Sequence, residues 1–314
     1  MRLRKKNEGI ALILVVWVVT LISGIALAFA RSQKVEAELA QNQRLIAQAR
    51  ALAEAGIHRA YYDLQTPSLD PNRWQANGAK LMWEIDGAQV EIRALDESAR
   101  VDINTGNPQL IQGLLKNAGA SEELALAISE AMQDWRDADE LKRPNGAEIE
   151  DYKSAGKKVF PTNSDFVSIS ELQNVLGVTS ELFRAIEPFL TVNSRQSGVS
   201  IALAPREVLL AIPNITAENV DLYLSTRRDA LVQKLPIPPL PGAAGQFFAA
   251  PARALRVQVD VTTENGFKHG REAILRLPQG QRAAFEVLAW RDLITPMSGP
   301  ADDLPEPTPD GPAK

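Results

Sequence analysis

The sequence predicts an α+β fold in which one long N-terminal helix carries a small antiparallel sheet and an all-helical block is inserted between the strands. Three observations predict it. Residues Ile10 to Ala30, IALILVVWVVTLISGIALAFA, form an uncharged run of 21 residues that continues without a break into helical spacing. Strand-like alternation occurs at 81–95 and returns at 255–290. Between those stretches, from Val101 to Ala230, the spacing is helical.

The apolar run has the length to cross the ~30 Å hydrocarbon layer, which takes ~20 apolar residues as a helix. A lone segment there can satisfy its backbone only as a helix. Arg2, Arg4, Lys5 and Lys6 precede the run, and Arg31 and Lys34 follow it. That bias predicts a single-pass anchor with a cytoplasmic N-terminus and the bulk of the chain outside the inner membrane. A cleaved secretory signal would have a shorter apolar core and a small-x-small cleavage site.

The anchor continues as a stem. Val35, Leu39, Ile46, Ala49, Ala53, Ile57, Ala60 and Leu64 fall at three- and four-residue steps, the pattern of an amphipathic helix. Neither proline nor glycine intervenes between Arg31 and Ala55, and Pro67 and Pro71 mark the end. One helix from Ile10 to Leu64 would be about 80 Å long at ~1.5 Å per residue. Its apolar stripe needs partners at both ends.

The first strands flank Asp86-Gly87. Trp83 and Ile85 alternate before the pair, and Ala88, Val90, Ile92 and Ala94 alternate after it. Two alternating runs around Asp-Gly signal a tight hairpin. Helices are then predicted at Pro108–Ala118, Glu122–Trp135, Ser170–Leu176, Ser180–Phe189, Pro205–Ala211 and Ala217–Arg228, most with a Ser, Thr or Asn cap nearby. Short helices opening at Asn104, Ser170 and Ala204 echo one another and resemble helix-hairpin-helix or SAM-like modules. PIPPLPGAAGQFFAAP, 236–251, reads as a linker or surface loop. Strands return as Leu255–Thr262, a turn at Glu264-Asn265-Gly266, Ala273–Leu277 and Ala284–Trp290, before an acidic, proline-rich tail that predicts disorder.

Composition narrows the function. Hydrophobic residues make up 45% and charged residues 23%, ordinary for a globular protein. The roughly 280 residues after the anchor suit one large or two small domains. With no cysteine, disulfides, zinc ribbons and thiol catalysis are excluded. His58 and His269 are the only histidines, too few for a histidine-based metal enzyme. Net charge is -5 overall, and the helical block holds 19 acidic and 12 basic residues. Phosphate contacts need positive surface, so the helix-pair echo predicts packing and no nucleic-acid partner. Gly156-Lys157-Lys158 lacks the flanking residues of a phosphate-binding loop. No nucleophile elbow exists, and His269 has no identifiable triad partner. No catalytic residue is assigned and no enzyme is expected.

One cluster could bind a metal. Asp134 and Asp137, three apart, share a helix face near its C-terminus, where the helix dipole repels anions. Asp139, Glu148 and Asp151 follow closely. Hard oxygen ligands in a loop favour calcium over magnesium or zinc. The EF-hand pattern fails, because Glu140 and Leu141 interrupt it. The alternative is a solvated acidic loop paired with Arg136, Lys142 and Arg143.

The whole arrangement resembles the type IV pilin-like family. Lys6-Asn7-Glu8-Gly9-Ile10-Ala11-Leu12 matches a prepilin processing site, which implies cleavage by a prepilin peptidase after Gly9 and methylation of Ile10. Major pilins carry a Glu where this chain has Leu14. A carboxylate in hydrocarbon is costly unless it meets a cation, such as a neighbouring subunit's N-terminus. Its loss suits a subunit with nothing stacked above it.

Further segments narrow the resemblance. Asp96-Glu97-Ser98-Ala99-Arg100-Val101-Asp102-Ile103-Asn104, Asp134 to Asp139, Gly146-Ala147-Glu148 with Tyr152, Ser170-Glu171-Leu172, Pro188 to Val192 and Val287 to Arg291 look like the minor pseudopilin K family of type II secretion. The likeness runs from Gly9 to about Arg291; Val199–Pro205 departs from the family's usual Asn-x-Asn-Thr-Ala-Pro. It implies a tip subunit of a periplasmic pseudopilus in a Gram-negative bacterium, with structural calcium in the inserted domain. Its partners would be minor pseudopilins of the I and J classes and the major pseudopilin, with secreted substrates or the outer-membrane secretin as further contacts. Leu14, Leu39 and Ile46 are the assembly candidates.

The expected organisation is a leader at 1–9, a transmembrane helix at 10–30, a stem at 31–66, and a pilin-like α+β domain at 67–96 and 252–292. The inserted helical domain spans 97–235, the linker 236–251 and the tail 293–314. Two other classes remain open: a minor pilin of a type IV pilus or DNA-uptake filament, and a membrane-anchored periplasmic enzyme or binding protein.

Overall fold

The structure, a computed structural model, describes residues 8–66, 74–233, 235–252, 254–278 and 285–293. The leader through Asn7, the prolines at 67 and 71, and the tail from residue 294 lie outside the described residues. One helix, α1 (Glu8–Gln65), runs for 58 residues, about 87 Å at ~1.5 Å per residue. Two strands follow, β1 (Asn77–Ile85) and β2 (Ala88–Asp96). The chain closes with β5 (Ala254–Thr262), β6 (Lys268–Arg276) and β7 (Glu286–Leu293).

These five strands form one antiparallel sheet in the order β1-β2-β5-β6-β7. The Asp86-Gly87 turn has positive φ at both residues, 50° and 73°, which suits the right-handed twist of a two-residue hairpin. β1 begins four residues before the Leu81 boundary, and β6 begins at Lys268 instead of Ala273. Polar Lys268, His269 and Gly270 pair with Thr262, Val261 and Asp260, although their side chains give no apolar alternation.

One face of the sheet takes the end of the stem. Ala49, Leu52, Ala53, Ile57 and Ala60 are buried against Val90, Ile92, Val257, Val259, Val261, Ala273 and Leu275. Period-two alternation in the strands and three-four steps in the helix place these residues on facing surfaces. The approach is close at Gly56, where an added Cβ would lie 2.7 Å from Val259 Cγ1.

Between β2 and β5 lies the helical block. It contains β3 (Val101–Asp102), α2 (Pro108–Asn117), α3 (Glu122–Arg136), α4 (Ile149–Ser154), α5 (Ser180–Ile186), β4 (Leu190–Thr191), α6 (Arg206–Leu210) and α7 (Ala217–Val232). Caps hold the helix starts. Asn107, Ser121, Thr179 and Thr216 accept from Gln109 N, Leu124 N, Leu182 N and Asn219 N, which satisfies otherwise orphaned donors. The block has its own core, with Trp135, Tyr152, Ile103, Leu110, Leu114 and Ile128 among its fully buried side chains.

Three local differences from the expected elements have physical causes. Residues 169–174 form a 3-10 helix instead of an α-helix. Val101 and Asp102 pair in parallel with Leu190 and Thr191, and two-residue strands are too short to alternate. Residues 236–251 are not a free linker. Leu240 and Phe247 are buried in the block's core, Val199 N donates to Phe247 O at 2.8 Å, and Ala249 N donates to Val199 O at 3.0 Å. Proline and glycine there specify irregular backbone, and irregular backbone can still be packed.

Contacts with α1 orient the sheet. Phe285 packs its ring against His58 and Tyr61, whereas Asp292 pairs with Arg50 at 2.9 Å. β7 therefore runs back toward the apolar end of α1. β5 is parallel to β7 through β6, so Ala254 starts at the end away from the anchor, and Leu255 pairs with Asp96. Both junctions of the helical block are thus at the edge away from the apolar end of α1.

Candidate functional site

The first candidate surface is the stem. Among the described residues, α1 is the one helix long and apolar enough to cross a membrane. Gly9 and Ile10 lie in its first turns. Only its last third meets the sheet. The stripe that buries Ala49, Ala53, Ile57 and Ala60 continues toward the N-terminus as Ile46, Leu39 and Val35, on the same face but with polar Asn42 and Gln43 in the seven-residue step between Ile46 and Leu39. There it is open: Ile46 is 37%, Leu39 55% and Val35 55% exposed. Leu14, further along, is 61% exposed. The stem thus carries an apolar stripe that is covered by the chain's own sheet at one end and uncovered at the other.

The second candidate is the acidic loop after α3. Trp135 packs against Tyr152 and Phe166, anchoring the end of α3, and Asp137 caps it. Asp134 is fully buried. Arg143 Nη1 donates to Asp134 Oδ1 at 2.5 Å and also to Asp137 Oδ2, and Arg143 N donates to Asp134 Oδ2 at 3.3 Å. Gly146 passes so close that any Cβ would strike Asp134 Oδ2. The turn at Asn145 is tied back by its N–H to Glu130 Oε2 at 2.7 Å.

The chain then enters α4, a single short helix whose six residues were invisible to helical periodicity. Glu148 sits at its start and is 8% exposed, and neither carboxylate oxygen has a hydrogen-bond partner. Asp137 Oδ1 is likewise buried and unpartnered. Burial pushes the Glu148 carboxyl up, and the charges of Asp134, Asp137, Glu140 and Asp139 push it further. Burial also raises Tyr152 to about 12, with Asp134, Glu148 and Asp151 adding to the effect.

The five sequence-selected carboxylates therefore divide. Asp134, Asp137 and Glu148 share one electrostatic neighbourhood. Asp151 accepts from Glu148 N at 2.9 Å and from Lys142 Nζ at 2.7 Å. Asp139 accepts from Leu141 N in an exposed turn. Among the described residues, no three acidic or histidine side chains are spaced as a ready-made metal site. The cation between Asp134 and Asp137 is the Arg143 guanidinium. Of the three basic residues considered as counter-charges, Arg143 and Lys142 take that part, whereas Arg136 Nη1 donates to Ile103 O.

Sequence reasoning missed the partners of Glu97 and Arg100, which it met only within a family motif. Glu97 meets Arg256 and Thr191 on remote strands, and Arg100 meets the carbonyl of Pro188, contacts that leave no local spacing signal.

Comparison with known proteins gives concordant results. A family model described as type II secretion system (T2SS), protein K matches residues 88–195. Type II secretion system protein K of Pectobacterium carotovorum subsp. carotovorum is 25% identical over 210 residues, covering 60% of this chain. That stretch spans 63% of the relative, just under two thirds of its length. The protein of the same name from Klebsiella pneumoniae is 27% identical over 230 residues, 66% of this chain and 70% of that one. In fold, the chain is similar to a chain of the crystal structure of the GspK-GspI-GspJ complex from the enterotoxigenic Escherichia coli type 2 secretion system. The TM-score is 0.55 at 15% identity, covering 85% of this chain and 99% of that chain. With a long apolar helix leading into an α+β domain and a helical block between its strands, the chain is similar to type II secretion system protein K in sequence over residues 88–195 and in fold over most of its length.

Proposed function

We propose that this chain is a minor pseudopilin at the tip of a type II secretion pseudopilus. There it assembles with other minor pseudopilins, of the I and J classes, and with the major pseudopilin below, to initiate and cap the filament that drives export across the outer membrane. The role is structural and requires no catalytic residue. The anchor crosses the inner membrane once, with the N-terminus cytoplasmic and the bulk periplasmic, after a prepilin peptidase cuts behind Gly9 and Ile10 is methylated.

The observation that carries this reading is the placement of the helical block relative to the uncovered seam. The seam at Val35, Leu39 and Ile46 offers an apolar face to neighbouring stems on the anchor side. The block enters from β2 and leaves into β5, at the opposite edge. A subunit built this way can pack stem to stem below while its block obstructs stacking above. Leu14, where a major pilin has its Glu, agrees with a subunit that has no ammonium above it to neutralise.

Structural calcium belongs to the same proposal. The unpartnered oxygens of Glu148 and Asp137, beside Asp134, suit a hard cation. Asp139 and Asp151 could complete the shell, provided the Arg143 guanidinium gives way. Calcium would then neutralise carboxylates gathered at a helix C-terminus.

The test is mass spectrometry of the mature N-terminus of protein purified from membranes. The expected N-terminus is methylated Ile10. Protein that retains Met1 in cells with an active prepilin peptidase overturns the pseudopilin reading.

A further inference from the structure

The stem–sheet core and the helical-block core share no buried residue. Charged groups bridge the two at the junction, beside the buried Ala99, Ala252 and Ala254. Glu97, the first residue beyond β2, is fully buried. Arg256 of β5 donates from Nε to Glu97 Oε1 at 2.8 Å and from Nη1 to Glu272 Oε1 of β6 at 2.7 Å. Arg291 of β7 adds Nε to Glu272 Oε1 at 3.0 Å, and Gln258 Nε2 reaches Glu272 Oε2 at 2.9 Å. On the block side, Arg100 Nη1 donates to Glu97 Oε1 at 3.1 Å, and Arg100 Nε donates to Pro188 O at 3.0 Å. Thr191 Oγ1 of β4 donates to Glu97 Oε2. One chain of charge-assisted hydrogen bonds therefore runs from the sheet, through Glu97, into the block.

The groups are ionised in place. Burial alone would raise the Glu97 carboxyl, but the Arg256 and Arg100 guanidinium groups outweigh it and hold it below the ordinary value. Burial, with Arg256 beside it, brings Arg100 down to about 10. Both charges persist at neutral pH.

We infer that the buried ion-pair chain Arg256–Glu97–Arg100, braced by Glu272 and Thr191, is the joint that fixes the orientation of the helical block on the pilin-like sheet. Apolar surfaces can slide past one another with small losses, since the hydrophobic effect is non-directional. A buried ion pair has one good geometry, because displacement leaves a charge in low dielectric without its partner. Fork-shaped guanidinium groups sharpen that geometry. The backbone supports the same joint. Asp96 Oδ1 accepts from Ser98 N at 2.8 Å and from Ala252 N at 2.9 Å, which ties the block's entry to its exit. Glu97, Arg100, Arg256 and Glu272 are positioning residues, and they would act this way whatever the chain assembles with.

The test uses the full chain in detergent. The native sequence has no cysteine, so Glu84→Cys on exposed β1 and Leu222→Cys on exposed α7 accept spin labels at those two sites alone. Pulsed dipolar spectroscopy then reads the sheet-to-block distance, and hydrogen exchange reads the protection of each core. The labelled parent is expected to give one narrow distance distribution. Glu97→Gln, and separately Glu272→Gln within the sheet, are expected to broaden or split it while both cores stay protected. An unchanged narrow distribution in both variants overturns the joint. So does loss of protection in the block alone on Glu97→Gln, with no broadening in Glu272→Gln, because Glu97 would then serve the block's own fold.

Discussion

Gly56 of α1 lies directly beneath Val259 of β5, so close that a Cβ built on the glycine falls 2.7 Å from Val259 Cγ1 and 3.2 Å from Val90 Cγ1. The helix and the sheet are thus packed nearly backbone to side chain, midway along the buried stripe of Ala53, Ile57 and Ala60. A glycine inside a helix costs roughly 0.5–1 kcal/mol relative to alanine. Gly56→Ala would recover that amount, but overpacking a well-filled core costs typically 1–3 kcal/mol. The expected net result is destabilisation by about 1 kcal/mol, and more for Gly56→Val. Chemical denaturation of the detergent-held chain measures it. A Gly56→Ala variant more stable than wild type would mean that the stem stands further from the sheet.

In the calcium proposal, Arg143 and calcium compete for Asp134 and Asp137. Arg143→Gln leaves Asp134, fully buried, without its counter-charge. Breaking a buried pair costs about 3 kcal/mol or more, and the partial exposure of Arg143 reduces the expected loss to about 2 kcal/mol in calcium-free buffer. Added calcium should raise the melting temperature of wild type and raise that of Arg143→Gln more, and a chelator should reverse both. A folded wild type whose melting is indifferent to calcium and chelator removes calcium from the account.

Glu148 gives a pH prediction with a definite sign. Its folded-state pKa is raised, by burial first and then by Asp134, Asp137, Glu140 and Asp139. Above the ordinary value of 4.5, the unfolded chain has released a proton that the folded chain still holds. Unfolding therefore releases a proton in that window, and stability falls as pH rises through it. Glu148→Gln should flatten this decline in calcium-free buffer and raise stability at neutral pH, with a smaller response to calcium. Melting curves from pH 4 to 7 read the slope. An identical slope in wild type and Glu148→Gln would show that the carboxyl is not held in an acidic, buried setting.

The parts of this molecule governed by short repeats were legible in the sequence. Val90, Ile92 and Ala94 alternate and do line one sheet face, and Asp86-Gly87 does turn the hairpin. The stem's stripe was visible because the same three-four spacing serves the buried Ala53 and the exposed Leu39. Elements too short to show a period were not legible, among them α4 and the two-residue pair of Val101 with Leu190. Neither was the joint, since Arg256 meets Glu97 across 159 positions and no local pattern marks a buried ion pair. In the acidic loop, the carboxylates were legible from the three-residue step of Asp134 and Asp137 near a helix C-terminus, with Asp139, Glu148 and Asp151 close behind. Arg136, Lys142 and Arg143 were the counter-charges the sequence offered; that Arg143 is the one at Asp134 follows from loop geometry that spacing does not specify.

The uncovered seam makes the last prediction. Leu39 and Ile46 are exposed in the isolated chain, so an aspartate at either position should change its stability by less than about 0.5 kcal/mol. In an assembly of stems the same side chains would be buried between helices, where packing of complementary faces holds subunits together. An unpaired carboxylate there is costly. Leu39→Asp and Ile46→Asp are each expected to abolish co-purification of the I- and J-class minor pseudopilins with the full chain in detergent, while the melting temperature stays near wild type. Ala37→Asp, which the ~100° turn per residue puts on the opposite side of the helix, should leave co-purification intact. If all three variants retain their partners equally, the seam is not the contact, and the sheet or the helical block must hold the complex instead.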